Sequence, residues 1–281
     1  MQPSLQYNKG NIFATLGLSL AALLATPAIA ADTSHATDAK LQQVINGDHR
    51  SADNSARDQY RQPLETLSWL GIKDNMTVVE ITPGGGWYTE ILAPYLKENG
   101  TYYAAGFDGE NGASWAKRSV KRFNDKLAAD PAHYGKVNVT VLAPPNNTEV
   151  APAGSADMVL TFRNVHNWMA AGTSDAVFNA MYRALKPGGT LGVIEHRGNP
   201  DVTQDPKAKS GYVNEAYTIA MAEKAGFKLA GKSEILANAK DSRNHPKGVW
   251  TLPPRLRLGD KDKAKYLAIG ESDRMLLKFV K

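Results

Sequence analysis

From about residue 60 to the last residue, short apolar runs alternate with segments in which apolar positions recur every three or four residues. The runs at 78–81, 102–107, 137–142, 158–162 and 190–195 have strand length and are rich in β-branched and aromatic side chains. Helical spacing separates them. Leu64, Leu67 and Leu70 precede a stop at Gly71, and Ile91, Leu92, Tyr95 and Leu96 share one side of Thr89–Leu96. Ser114–Ala129 reads as a basic amphipathic helix ended by Asp130-Pro131. A stripe of Ala176, Val177, Ala180, Met181, Ala184 and Leu185 predicts a helix over 174–185, capped by Thr173 or Ser174 and broken by Lys186-Pro187-Gly188-Gly189. Val213, Ala216, Tyr217, Ala220 and Met221 predict another, with that stripe facing the core and Gly226 closing it. Strands over 227–236 and Arg274–Val280 finish the chain. This order predicts an α/β protein with a mostly parallel, seven-stranded sheet covered on both faces. Its last strands pair antiparallel, because no long helix separates them. The connection over 237–263 is longer than most connectors, and Trp250, Leu252 and Leu256 give it apolar side chains to pack, so it reads as an ordered lid.

The first thirty residues follow a different pattern. Lys9 is the one charge before an apolar run over 12–24, and the small-residue triplet Ala28-Ile29-Ala30 follows Pro27. This is the layout of a secretory signal over 1–30, cut after Ala30. Thr15, Gly17, Ser19 and Pro27 make a poor membrane anchor, so the mature protein is expected to be periplasmic without stable membrane insertion. Residues 31–56 read as a flexible segment turning into a helix, ahead of one domain over 57–281. The absence of cysteine excludes disulfides, thiolate metal sites, cysteine nucleophiles and a lipid-anchored cysteine. A net charge of +5 is mild for 281 residues. The basic stretch 117–126 lacks the interleaved aromatic platform of a nucleic-acid site, so no nucleic-acid partner is expected.

Candidate chemistry gathers at the predicted strand ends. The first strand runs into Thr82-Pro83-Gly84-Gly85-Gly86-Trp87-Tyr88-Thr89, a glycine turn that lets backbone approach a ligand beside a helix N-terminus. Gly84 and Gly86 supply two glycines of a dinucleotide fingerprint, while Thr89 stands in place of the third. Neither a Gly-Lys-Ser/Thr phosphate loop nor a G-x-S-x-G elbow occurs. Three polar clusters follow: Arg163 to Trp168, Glu195-His196-Arg197, and Ser242 to Pro246. His166 and His196 are candidates to take a proton. Arg163 and Arg197 suit an acidic group, and Trp87 and Trp168 suit stacking or a cation. Asp108 is either a ligand carboxylate or the closure of its own Asp108-Gly109 turn. His166, His196 and His245 form a further candidate set, for a metal.

In the glycine turn at 78–89, in Asp108 ending the second strand and Asp157 opening the fourth, the chain resembles the class I S-adenosylmethionine-dependent methyltransferases. The run Ala184-Leu185-Lys186-Pro187-Gly188-Gly189-Thr190-Leu191 and the antiparallel finish extend the likeness over 55–281. It looks most similar to a bacterial, often exported branch known mainly as predicted methyltransferases. The resemblance implies a Rossmann-like, doubly wound fold and S-adenosyl-L-methionine as cofactor. By it, Glu80, Gly84 and Gly86 would line the methionine part, Asp108 would meet the ribose hydroxyls, and Asn164 would lie beside the cofactor. His166 would lie beside the cofactor as well; read from the polar clusters themselves, His166 and His196 are the catalytic candidates, and Arg163, Trp168 and Arg197 the candidates to hold a small-molecule substrate. The chain departs from the family at three places. Thr82 replaces the first glycine, Ala143-Pro144-Pro145 replaces the acid after the third strand, and Thr161-Phe162-Arg163-Asn164 replaces the signature of nucleobase amino-methyltransferases. The expectation is an exported methyltransferase. An inactive binding or structural protein of the same fold is the first alternative, and a histidine-based metal enzyme the second.

Overall fold

The computed structural model describes residues 33–281. The expected leader over 1–30 lies outside them, and among the described residues no helix is long and apolar enough to cross a membrane. Helix α1 (Thr33–Ile45) precedes two single-turn helices, α2 (Ala52–Ser55) and α3 (Asp58–Arg61), and then α4 (Pro63–Leu70). Pro63 opens α4 where an N–H has no helical partner, and Gly71, at φ 88°, closes it. Alternation follows: β1 (Thr77–Ile81), α5 (Thr89–Leu96), β2 (Thr101–Gly106), α6 (Ser114–Ala129), α7 (Pro131–Tyr134), β3 (Asn138–Val141) and β4 (Ala156–Phe162). Next come α8 (Val165–Ala171), α9 (Ser174–Ala184), β5 (Leu185–His196), α10 (Glu215–Lys224) and β6 (Lys228–Ser233). Strand β7 (Pro246–Val249), α11 (Lys263–Ile269) and β8 (Arg274–Val280) complete the chain.

Seven strands form one sheet in the order β3-β2-β1-β4-β5-β8-β6. Pairing is parallel from β3 to β5, and β8 runs antiparallel to both its neighbours, with Thr190 opposite Val280 and His196 opposite Arg274. The chain steps outward from β1 to β3 and then returns past β1 to β4. That reversal puts a switch point between β1 and β4, where α/β sheets open a crevice at their carboxyl ends. Strand periodicity divides the core into two layers. Val79 and Ile81 share one with Val165, Phe178 and Met181, while Val78 joins Leu67, Ile91 and Leu92 in the other. Covering both faces is what makes these strands read as continuous apolar runs.

The fold is the doubly wound α/β class expected, with local differences. Extended backbone starts at Leu185, because Leu185 already pairs with Ala156 before the register shifts at Met158. Strand β6 stops at Ser233, whose Oγ accepts the Ile235 N–H at 3.3 Å and turns the chain. Helix α10 presents a different face from the one its stripe suggests. Ala216, Tyr217 and Ala220 are exposed, while Thr218 and Ala222 are buried. Small side chains at that contact let α10 lie close to α9 and β6, with Phe227 and Tyr182 packed edge to face beside them.

Candidate functional site

Cavities of about 670, 620 and 580 Å³ open at the carboxyl ends of the parallel strands, the second beside Gly84, Asp108 and α6, and the first and last of them share part of their walls. Thr82, Asn164 and Asn167 line those two, so the larger and the smaller space adjoin at the β1–β4 switch point. Thr82 follows β1 at φ 53°, and Arg163 follows β4 at φ 62°. Left-handed backbone is an outlier for a β-branched residue and uncommon for any residue but glycine. Neighbouring strands hold both there: Thr82 N donates to Ala105 O at 2.8 Å and Arg163 N to Ile194 O at 2.7 Å. Asn164 ties the strand ends together, its Nδ2 donating to Ile81 O at 2.9 Å and Thr161 Oγ1 at 3.3 Å. At Gly84, φ 62°, an added Cβ would meet nothing within 4 Å, so bare backbone faces open space. Gly86 lies instead against Lys126 and Phe123 of α6 and lines neither cavity.

The smaller cavity is mostly apolar. Phe107, Trp115, Leu142, Pro144 and Trp168 line it, with Asp108 at the end of β2. Phe107 and Trp115 meet edge to face at 4.9 Å, and Trp168 packs edge-on against Phe178 at 5.8 Å. Asp108 does close its own turn: Oδ1 accepts the amides of Glu110 and Asn111, both at 2.8 Å. The Asn111 amide, then that of Glu110, holds its pKa below the usual carboxylate range. Oδ2 takes only the Asn111 side-chain amide, at 3.2 Å, which leaves acceptor capacity on the oxygen.

The larger cavity is lined by six arginines, Arg57, Arg61, Arg163, Arg255, Arg257 and Arg274, with Glu80 and Glu271 as its acids. Arg57 and Arg61 come from the N-terminal helices, one turn apart on one face. Arg255 and Arg257 come from the connection after β7, where Arg257 lies over the Trp250 ring at 4.6 Å. Glu271 is shared: it accepts Arg57 Nε at 2.5 Å, binds Arg274 Nη2, and lies 3.6 Å from Arg61 Nε. Against the upward pull of burial, Arg274, Arg61 and Arg57 bring its pKa down to about 2. Burial dominates at Glu80, pushing its pKa up to about 7, although its Oε2 accepts the hydroxyls of Thr89 and Tyr102. Of this charged lining, sequence reasoning found Glu80 and Arg163. The others are held in three segments of the chain, 57–61, 255–257 and 271–274, and only the i, i+4 spacing of Arg57 and Arg61 left a trace.

His166 and His196 line the same cavity, their rings 5.5 Å apart. The Glu195 carboxylate, fully buried, is 3.0 Å from His166 Nδ1 and accepts the backbone N–H groups of His166 and His196 at 3.1 and 2.7 Å. A carboxylate at Nδ1 fixes the proton there and leaves Nε2 as the basic nitrogen. His196 Nδ1 lies 2.5 Å from Ser272 Oγ, and burial, then His166, holds its pKa well below the ordinary histidine value. His166, Glu195 and His196 offer ligand atoms within 4.8 Å of one another, but Glu195 already serves as the acceptor for these N–H groups. His245 does not join them: it is held by Asp241 at 2.8 Å and reaches His196 only across Tyr212. Arg197 does not line the cavity either. Its guanidinium is committed to Asp273 through two bonds of 2.9 Å and to Glu234 at 2.7 Å. Trp168 lines the smaller cavity rather than the larger.

No family model matches the chain, and no curated protein matches it. Solved structures do share its fold. A SAM-dependent methyltransferase from Aquifex aeolicus matches with a TM-score of 0.52 at 17% identity, over 86% of this chain and 97% of that one. Phosphoethanolamine N-methyltransferase 2 from Haemonchus contortus, solved in complex with S-adenosyl-L-methionine, matches with a TM-score of 0.53 at 15% identity, over 87% of this chain and 57% of that one.

Proposed function

We propose that this protein is an S-adenosylmethionine-dependent methyltransferase acting on a small molecule, and that it is exported by the leader over 1–30. The observation that carries the reading is the pairing of two adjoining cavities at the switch point: an apolar one beside Asp108, and a polar one beside the Glu195–His166 pair. The residues present fit the cofactor. Asp108 Oδ2 retains acceptor capacity for ribose hydroxyls, the aromatic and apolar walls suit an adenine ring, and Gly84 leaves its backbone open to a ligand. Thr82 lines both cavities without closing either, which favours a binding site over an inert scaffold. When bound, the cofactor supplies an electrophilic methyl group and leaves as the neutral thioether.

The chain's own part is positioning and proton removal. Methylating an O–H or N–H group releases one proton, and His166 Nε2 is the atom to take it, because Glu195 keeps the proton of the ring on Nδ1. His196, neutral through burial, adds no competing charge beside it. Trp250, 6.1 Å from the His166 ring, covers the pair on the side of the long connection. Holding acceptor and donor in line supplies most of the acceleration in such a transfer, so the walls matter as much as the base.

Calorimetric titration of the full chain with S-adenosylhomocysteine tests the reading. Micromolar binding, weakened tenfold or more by Asp108→Ala, is the expected result. No heat and no thermal stabilisation at millimolar ligand would overturn it. His166→Gln should leave that affinity unchanged and lower turnover by about 10²–10⁴ once an acceptor is found.

A further inference from the structure

The larger cavity carries far more positive charge than a proton-transfer site needs. Four of its arginines are buried or partly buried, and among the described residues Glu271 is the carboxylate within ion-pair distance of them. Arg61 is 2% exposed and Arg274 3% exposed, so water does not solvate them freely. Several of their N–H groups find no acceptor: Arg57 Nη2, Arg61 Nε and Nη1, and Arg274 Nε are buried without a hydrogen bond. Among the described residues, no carboxylate pairs with Arg163 within ion-pair distance. Burial, then the Arg163 charge, presses the Arg61 pKa down to about 8, and burial, then Arg274, brings Arg163 to about 10. The Trp87 ring, with Arg61 at 4.5 Å and Arg50 at 5.1 Å, spreads part of this charge over its π face but accepts no strong hydrogen bond. Buried guanidinium groups left so short of acceptors are costly to keep, and an oxyanion is the group whose geometry matches their forked donors.

We infer that the acceptor carries an oxyanion, a carboxylate or a phosphate, bound by Arg61 and Arg163 with Arg57 and Arg274 beside them. This rests on the methyltransferase reading, and charge balance supports both together. The cofactor's sulfonium adds one more cation next to the arginines, and an anionic acceptor offsets that repulsion at the point where the two must approach. Arg197 has no part in it, being fully paired elsewhere. The orphaned donors lie too deep for an anion to reach directly; they mark a cluster short of acceptors, and the unpaired Arg163 guanidinium is the donor left open to the cavity.

The test is titration of the full chain, at low ionic strength and with a chloride-matched control, with inorganic phosphate in one arm and oxalate in the other. Saturable binding of one anion per chain at a Kd of about 1 mM or tighter supports the inference, and the tighter arm identifies the class. Arg163→Gln and Arg61→Gln should each weaken binding about tenfold, as loss of a charge-assisted contact does. Arg183→Gln, an exposed residue bonded to Thr148, should leave it unchanged. Arg61 is deep, so its variant is checked by thermal melting; Arg163 is only partly buried and decides the matter where Arg61→Gln melts early. No saturable binding in either arm, unchanged affinity in Arg163→Gln, or an equal loss in Arg183→Gln would overturn the inference. S-adenosylhomocysteine is titrated in parallel. Its binding without anion binding leaves the methyltransferase reading intact and removes the anionic acceptor. Anion binding without it removes the reading, and the acceptor role with it.

Discussion

Glu80 stands at the centre of the sheet's carboxyl edge with its side chain fully enclosed, receiving hydroxyl hydrogen bonds from Thr89 and Tyr102. Two hydroxyl donors offset only part of the cost of burying the charge, so its pKa rises from 4.5 to about 7. The sign of the resulting pH dependence follows from proton counting. Between those values the folded chain holds a proton that the unfolded chain has released, so stability falls as pH rises through that window and levels off above it. Glu80→Gln keeps an oxygen for both hydroxyls and removes the charge. It should flatten stability between about pH 5 and about pH 7, and raise it near pH 8 by on the order of 2 kcal/mol. Melting curves across that range check it, and parallel profiles for the two proteins would show that Glu80 is ionised throughout. Thr82, two residues on, carries strain of another kind. A branched side chain at φ 53° costs about 1–2 kcal/mol that a glycine there would not, and such strain is typically kept at sites of function.

At the scale of elements, the connection over 237–263 is tied down by two buried carboxylates, its own Asp241, which accepts the Tyr212 hydroxyl and the Asp273 amide, and Asp273. Asp273, just before β8, accepts two bonds from Arg197, two from Arg243 at 3.0 and 2.7 Å, and the Asn238 amide at 2.8 Å. It therefore binds the end of β5 and the long connection to the start of the last strand. Asp273→Asn leaves two guanidinium groups short of their partner, and breaking such a buried pair costs about 3–5 kcal/mol. Limited proteolysis should then cut first within 237–263, whereas uniform cleavage along the chain would place the effect elsewhere. Elements such as α5, α6 and β8 appear with their expected bounds, because their apolar positions recur at helical spacing or form an unbroken run of strand length. Helix α8, seven residues long, left none, and its His166 read as part of a loop cluster. The glycine turn and the polar residues after β4 and β5 were legible as strand-end chemistry. The pairing of Arg197 with Asp273 was not, because partners 76 residues apart carry no local signal.

Across the whole molecule the larger cavity is closed by the two ends of the described chain. Arg57 donates to Glu271 and Arg274 Nη1 donates to Tyr60 O at 3.0 Å, contacts spanning 214 residues each. The N-terminal helices α2 and α3 are short and bury little apolar surface, so these bonds hold them over the site. Glu271 is the keystone, since Arg57, Arg61 and Arg274 all converge on it. Its depressed pKa, about 2 against 4.5, means that this contribution is fully present above about pH 4.5 and is lost as pH falls through about 2. Replacing Glu271 with Gln removes the charge at every pH and leaves three guanidinium groups facing one another. Amide hydrogen exchange should then accelerate together in 52–61 and around 270–275, though the segments lie at opposite ends of the sequence. The central strands β1 and β4, packed on both faces, should keep their protection. Faster exchange on one side alone would mean that the helices hold their place without the clamp. Joint acceleration would establish that cavity closure is a property of the chain's two ends acting as one unit, with the arginine charge and the Glu271 carboxylate as the coupling.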